Sequence, residues 1–353
     1  MKTVKEVLII LYSEILESYS SKNELYILRN SMTFYEFIEK QFEKYRKLCS
    51  EIKEEELVLI SKGKFKDECT KKRFMNMINR LIEVYLTILK AAYKGDYYHA
   101  YETLNMLMTI EGHTKLPFNQ YLDDDYINCI NCSIKNEELK LYRMRDIGKD
   151  ESSPKDCWHV PFVMRRYASF QRYNMYGIPC LYLADSLETA NAEVGPLEDN
   201  KNRWYSEFRS NSSYKWKDIN AFDLTIKTEE EINREDSNNY LLYWLITYPL
   251  RLLCSIKVYE KGIFCEEYIF PQLLFHWMYF SGNGFRDGFM FSSTKNPGGI
   301  NYVFPATYKS KTPPTYSDKQ VSEKLEQLFV QSKPILYREG KEKKKYTIGI
   351  TEI

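Results

Sequence analysis

Arg172, Tyr182 and two carboxylates, Glu188 and Glu193, fall within one short stretch of the chain. A cation, an aromatic ring and an anion spaced this way could surround a single polar ligand. The elements that must position them are legible locally. Arg172 to Pro179 reads as a turn, Ile178 to Ala184 as a buried strand, and 186–194 as a short helix. Asp185 or Ser186 can cap that helix, because a short side-chain oxygen accepts from the exposed amides of the first turn. Glu188, three residues after Asp185, resembles a capping-box partner. Leu187, Ala190 and Val194 share one helical face and are expected to be buried. At about 100° per residue, Glu188 and Glu193 lie on opposite flanks of that stripe, and periodicity does not choose between them.

Other constellations offer less. Cys129 and Cys132 form a CxxC that Cys157 and His159 could complete as a zinc site. There is no second CxxC, and Cys157-Trp158-His159 is a poor ligand pair. Packing is therefore the expected role, and no metal is expected. Asp123-Asp124-Asp125 could attract a cation, but a solvated loop is the ordinary outcome for such a run. His159 and His276 lie near apolar segments and are expected to be structural. The chain has no Walker A loop, no GxGxxG, no HExxH and no GxSxG. Gly282-Asn283-Gly284 reads as a turn. Ser–His hydrolysis, kinase chemistry and hydride transfer on a Rossmann fold are not favoured.

The 353 residues suffice for two ordinary domains, and 44% hydrophobic with 28% charged residues fits a soluble globular protein. A net charge of +1 gives no global field toward nucleic acid or an acidic membrane. No segment approaches the roughly 18 uninterrupted apolar residues that span a bilayer. The start resembles a signal peptide only superficially, since its apolar core is short and Glu14 and Glu17 follow. A cytoplasmic location is expected, with the eight cysteines as buried thiols. Tyrosine is abundant, at 30 residues, which suits a polar core or a broad binding surface.

Residues 1–115 show helical periodicity, including a stripe of Phe74, Met77, Ile78, Leu81, Ile82, Tyr85 and Leu86 that predicts a helix over 71–94. Lys94-Gly95-Asp96 breaks it, and Tyr97 to Leu107 resumes it. The segment from Lys94 to Leu104 resembles part of a tetratricopeptide unit, but no repeat follows, so a bundle or cap is expected. Residues 116–137 read as a connection. From 138 the pattern becomes short strands at Leu139–Met144, Ile178–Ala184, Arg251–Val258 and Gly288–Ser292, with helices near 186–194, 238–247 and 271–280. Residues 138–306 form the second domain, and 307–353 an extension in which Lys345 to Ile350 is a last strand or a tail. The fold class is α+β, a helical region followed by a mixed β domain with short helices.

Several pieces then follow one another in order. They are Leu141-Tyr142-Arg143-Met144-Arg145, Trp158-His159-Val160-Pro161-Phe162, Gln171-Arg172-Tyr173, Pro179-Cys180-Leu181-Tyr182-Leu183 and Glu193-Val194. Cys254 to Val258, Glu267 to Leu274 and Asp287 through Thr294 complete the series. This order resembles the RES-domain family across about 138–306. The resemblance implies a fold related to diphtheria-toxin-like ADP-ribosyltransferases, and NAD as substrate. It also implies kinship with NAD-degrading toxins of toxin–antitoxin pairs. Arg143 matches the first family arginine, and Arg172 matches the second, with Tyr173 in place of the usual Trp. Tyr182 matches the strand tyrosine, Glu193 the glutamate, and Ser293 the serine, with Ser292 an adjacent rival.

The implied roles are chemically coherent. Glu193 would stabilise positive charge on the ribose as the glycosidic bond breaks, as for other oxocarbenium-like transition states. Arg143 and Arg172 would hold the diphosphate through their planar forks. Tyr182 would stack on nicotinamide, and Ser293 would bond NAD or support Glu193. Cleavage to nicotinamide and ADP-ribose is the leading expectation, and transfer of ADP-ribose to a protein or nucleic acid the second. A non-catalytic interaction protein carrying a relic domain is the third. An antitoxin or immunity partner, an anti-phage setting and assembly through the helical region accompany these readings.

Overall fold

The computed structural model describes residues 1–19, 31–62, 70–108, 126–135, 139–148, 152–211, 218–258, 265–280, 286–308 and 312–338. The expected strand at 345–350, the acidic run at 123–125 and the turn at 282–284 lie outside these residues. The first part is helical: α1 (Val4–Ser18), α2 (Phe34–Ser50), α3 (Glu54–Ser61), α4 (Lys71–Tyr93) and α5 (Tyr97–Met108). Thr3, Thr33 and Thr70 each accept a first-turn amide, so α1, α2 and α4 begin at caps written in the sequence. The stripe predicted on α4 is buried except for Leu86, which is half-buried at its margin. The break after it is a turn in which Gly95 adopts φ +77°, and the Asp96 carboxylate then accepts the His99 amide to start α5.

The second part is a mixed sheet, so the α+β class holds. Its strands are β1 (Asn131–Ile134), β2 (Lys140–Ile147), β3 (Cys180–Ala184), β4 (Asn202–Ser210), β5 (Ile219–Leu224), β6 (Gly288–Ser292), β7 (Ile300–Pro305), β8 (Phe329–Gln331) and β9 (Ile335–Leu336). They are ordered β1-β5-β6-β7-β3-β2-β4-β8, with β9 also on β4. Among the described strands only β5 and β6 run parallel. The helices between strands are α6 (Leu187–Val194), α7 (Glu229–Arg234), α8 (Asn238–Ser255), α9 (Ile269–Phe280) and α10 (Glu323–Leu328).

Three sequence expectations change. Residues 126–134, read as connection, hold a 3-10 turn and β1, which pairs with β5. The extension beyond 306 adds β8 and β9 to the edge at β4. Arg251–Val258 is not a strand: α8 runs to Ser255, and the rest is irregular. A helix buried on nearly all sides has no polar face to show its period. Arg251, 1% exposed, anchors this end by donating to the Thr225 carbonyl (2.6 Å) and Thr247 Oγ1 (3.0 Å).

One continuous core joins the helical region to α8, α9 and one face of the sheet, through Phe222, Phe289, Phe291 and Val303. A second core covers the other face, with Leu141, Leu181, Leu183, Phe208 and Phe304. Pro249 inside α8 removes the amide that would bond the Leu245 carbonyl. Tyrosine hydroxyls from the helical region and from the 3-10 turn that follows it meet the carbonyls of this turn. Tyr12 donates to Trp244 O (2.9 Å), Tyr45 to Leu245 O (2.8 Å) and Tyr126 to Ile246 O (3.4 Å). Part of the tyrosine excess therefore solders α8 to the bundle. No helix among the described residues is long and apolar enough to cross a membrane.

Candidate functional site

The β3–α6 unit folds much as its sequence demands. Ser186 is the N-cap, its Oγ accepting the Thr189 amide at 3.1 Å. Asp185 instead accepts the Ile300 amide (3.0 Å), tying the start of α6 to β7. Glu188 is thus not a capping-box partner; it is exposed. Leu187 and Ala190 are buried with Met144 and Ala184, but Val194 is exposed, because α6 ends there at Gly195 (φ +87°) and clears the sheet. Thr189 takes the place expected of Val194 in the buried set.

Glu193, on the last turn of α6, faces β6 and β7. Its Oε1 accepts from Ser293 Oγ and from Asn301 Nδ2, both at 2.7 Å. Lys295 Nζ donates to the Glu193 backbone carbonyl (2.6 Å) and stands 3.8 Å from Oε2. The Glu193 side chain remains 34% exposed. Ser293 is itself fixed. Its Oγ accepts the amides of Lys295 (3.2 Å) and Asn296 (3.0 Å), which directs its proton to Glu193. Ser292 has a different task, accepting the Ile226 amide at 2.9 Å.

The turn behind Ser293 is Asn296-Pro297-Gly298-Gly299, closed by a Gly299 amide to Asn296 carbonyl bond of 2.9 Å. Gly298 has φ +87°, the value a type II turn requires after proline. Gly299 permits close approach, since a Cβ there would collide with Thr189 Oγ1 on α6. Asn296 Nδ2 donates to that same oxygen (2.9 Å). The turn and the helix are thus locked together around Glu193.

The other expected residues are distributed as follows. Arg172, 8% exposed, donates to the carbonyls of Cys254 (2.9 Å) and Ile256 (2.7 Å), satisfying the end of α8. Its guanidinium also lies over the Tyr268 ring, 5.2 Å from the centroid. Burial raises the Tyr268 phenol pKa, Arg172 opposes that, and Glu193 adds to it, so Tyr268 lies within electrostatic range of both charges. Burial also pushes the Tyr182 phenol well up, with Arg172 and Tyr268 in range. The Tyr182 hydroxyl is enclosed and makes no well-formed hydrogen bond. Glu193 and Ser293 are therefore in direct contact, Arg172 meets the Tyr268 ring, and no hydrogen bond or ion pair among the described residues joins Arg172 or Tyr182 to Glu193.

Arg143 is placed differently. Strands β2 and β3 pair only at Tyr142 and Ala184. Beside that pair, the Arg143 guanidinium donates to the Tyr182 carbonyl at 3.3 Å. Met144 packs beneath α6, so alternation points Arg143 and Arg145 to the other face of the sheet. Arg143 makes no ion pair with Glu193 and meets this neighbourhood only across the gap between the strands.

His159 binds backbone on both sides, Nδ1 to Val160 O (2.7 Å) and Nε2 from the Ser322 amide (2.9 Å). Both ring nitrogens are thereby spent within the protein, as expected for a structural histidine. No metal-binding cluster of three or more His, Cys, Asp or Glu occurs among the described residues.

Sequence reasoning did not identify Asn301, Lys295 or Tyr268 as members of the site. The Asn-Pro-Gly-Gly turn signal directly after Ser293 was available, as was the lone polar Asn301 in the apolar run Ile300–Pro305.

No protein-family model matches the chain, and no solved structure matches it. It is similar to a Bacillus subtilis (strain 168) protein named "Putative toxin YopC", at 26% identity over 215 residues. That match covers 58% of this chain and 44% of the relative, so it spans less than half of the relative's length. The chain thus has a distant relative with a toxin name.

Proposed function

We propose that this chain is a toxin-like enzyme that cleaves the nicotinamide–ribose bond of NAD. The observation that carries the reading is the part-exposed Glu193 carboxylate, held on one oxygen by Ser293 and Asn301 and loosely ion-paired on the other with Lys295 at 3.8 Å. In the reaction the C1′–N bond breaks, and its electron pair neutralises the nicotinamide ring as it departs. Positive charge builds on the ribose, and an oriented carboxylate beside it lowers that barrier. Water then adds to C1′ and releases a proton, giving ADP-ribose. Ser293 and Asn301 spend no charge of their own. They fix the direction of Oε2, which would hold a ribose hydroxyl or accept the proton of the incoming water. Tyr268 and Tyr182 offer ring faces for the nicotinamide, and Arg172 adds positive potential.

The toxin name of the distant relative supports a harmful activity, and an enzyme that depletes NAD needs restraint. An antitoxin or immunity partner follows from that need. The test is incubation of the purified chain with NAD labelled in the adenine moiety, with and without cell lysate. Free ADP-ribose and nicotinamide are expected. Label retained on protein or nucleic acid would replace hydrolysis by transfer. No NAD consumption by wild type, or equal consumption by Glu193→Gln, would end the reading.

A further inference from the structure

Residues 157–184 contain no Asp or Glu and three Arg, in a chain with 49 acidic residues among 353. The near-neutral total therefore hides one locally cationic stretch. Its first part is the 3-10 turn Phe162–Tyr167, which presents Arg165, Arg166 and Tyr167 to solvent. Arg166 donates to the Tyr167 hydroxyl (3.1 Å), and its guanidinium lies 4.9 Å from that ring's centroid. Neither Arg165 nor Arg166 makes an ion pair among the described residues. The acids of neighbouring segments are engaged elsewhere. Asp318, two residues before the Gln320 that binds Val163, accepts from the Thr315 amide (2.6 Å) and hydroxyl (2.8 Å). Glu266 accepts from the Tyr93 hydroxyl (2.7 Å), and Glu267 is buried.

The second part is a tier of rings. Tyr176 stacks on Phe170, with centroids 5.0 Å and planes 23° apart. Phe170 lies 5.8 Å from Tyr268, the ring that carries Arg172. Tyr176 is 72% exposed and Tyr167 60%, so the Tyr176 face away from Phe170 is open to solvent. Arg165 joins the two parts, because its Cδ would lie 3.8 Å from a Cβ on Gly177, next to Tyr176. The loop between them is not slack. Asn174, which is buried, accepts the Gln171 amide (2.8 Å) and donates to the Ser169 carbonyl (2.6 Å). Gln272 on α9 donates to the Gln171 carbonyl (3.1 Å). Rings fixed in advance lose little further freedom when a ligand stacks on them. Single exposed tyrosines need no explanation. A stacked pair with a free face, beside two unpaired guanidiniums, is complementary to a chain that alternates flat rings with negative charges.

We propose that Tyr176, Phe170 and Tyr167, with Arg165 and Arg166, form a surface that binds single-stranded nucleic acid. The open ring faces take unstacked bases, and the guanidiniums take the phosphates between them. An acidic protein would use the charge but not the free ring face, and a duplex keeps its base faces covered. The surface meets the proposed site at Tyr268 and requires no NAD chemistry.

The test titrates the full chain, with no NAD present, into fluorescein-labelled single strands of about 12 nucleotides, as RNA and as DNA. A duplex of the same sequence and labelled polyglutamate serve as comparisons, and anisotropy is the readout. Saturable binding of a single strand, tighter than that of the duplex, is expected. Tyr176→Ala should weaken it roughly 5- to 100-fold, the loss of one stacked base. Tyr176→Phe keeps the ring and should bind as wild type does. Changing Arg165→Gln and Arg166→Gln together should lower affinity and flatten the slope of log affinity against log salt by about 1.4, the share of two phosphates on a single strand. All three positions are exposed, and thermal melts check that each variant is folded. A preference for RNA or for DNA supports the surface and names the strand. Failure of any single strand to bind, or equal affinity in Tyr176→Ala and wild type, overturns it. Polyglutamate bound as tightly as the oligonucleotide also overturns it and gives the patch to an acidic protein. Oligonucleotide binding by a chain that does not consume NAD keeps the surface and removes the glycohydrolase reading. NAD consumption without oligonucleotide binding does the reverse.

Discussion

The Tyr45 hydroxyl donates 2.8 Å to the Leu245 carbonyl, the acceptor that Pro249 leaves without its helical amide. Burial pushes the Tyr45 phenol well above its usual pKa, so it remains a neutral donor. A buried carbonyl left unpaired costs about 1–3 kcal/mol, so Tyr45→Phe should destabilise the protein by that amount in urea unfolding. The cost should shrink in a Pro249→Ala background, where residue 249 regains an amide. Equal costs in the two backgrounds would mean that the tyrosine does not stand in for the missing helical bond.

The pair Ser293 and Asn301 should matter through Glu193 rather than through stability. Both donate to Oε1, so removing either frees the carboxylate to rotate. Ser293→Ala and Asn301→Ala should each lower nicotinamide release by roughly 10-fold or more, while Glu193→Gln lowers it by about 100- to 1000-fold, the range for an oriented electrostatic group. Ser292→Ala is the informative contrast. Its hydroxyl accepts the Ile226 amide, so that variant should lose stability while its folded fraction keeps the activity. Greater catalytic loss in Ser292→Ala than in Ser293→Ala would reassign the functional serine.

Gly299 makes the lock between α6 and the β6–β7 turn testable. Gly299→Ala sets a methyl group against Thr189 Oγ1 and Asn296 Nδ2. Overpacking of this kind costs about 1–3 kcal/mol. The turn should move off α6, carrying with it the Lys295 and Asn296 amides that hold Ser293. Thr189→Ala removes the two Thr189 atoms in the way, though not Asn296 Nδ2, and should restore part of the melting temperature to the double variant. A double variant no better than Gly299→Ala alone would place the strain elsewhere.

Legibility in the sequence tracked how one-sided each element is. Helix α4 shows its stripe because one flank is solvent, and β6 was bounded by turn signals, so both were readable. The end of α8 was misread because Leu252, Leu253, Cys254 and Ile256 are all buried and Pro249 looks like a terminator. At the site, Ser186 was a legible cap and Glu193 a legible carboxylate. Periodicity left Glu188 and Glu193 open and the family resemblance chose Glu193; its partner Asn301, 108 residues further along the chain, was not legible locally. Arg172 had the opposite history. Its charge was legible, but its engagement with the end of α8 depends on where that helix stops. Strands β4, β5 and β7 went unread because their faces are covered by elements far away in sequence.

His159 sets the expected response to acid. The ring is 1% exposed, and its Nε2 must stay unprotonated to accept the Ser322 amide. Burial pushes its pKa down to about 4 from a usual value of 6.5, with the neighbouring Arg143 and Arg145 acting in the same direction. The unfolded chain therefore binds this proton first as the pH falls. The stabilisation is complete above pH 6.5, declines as the unfolded ring protonates, and levels off below about pH 4. The full loss is on the order of 3 kcal/mol. Urea midpoints measured between pH 7.5 and 4.5, a window chosen around the usual histidine value of about 6.5, should fall steeply for wild type. His159→Gln keeps an acceptor for the Ser322 amide and carries no titrating ring, so its midpoints should fall less. Parallel pH profiles for the two proteins would show that His159 is not held neutral by the fold.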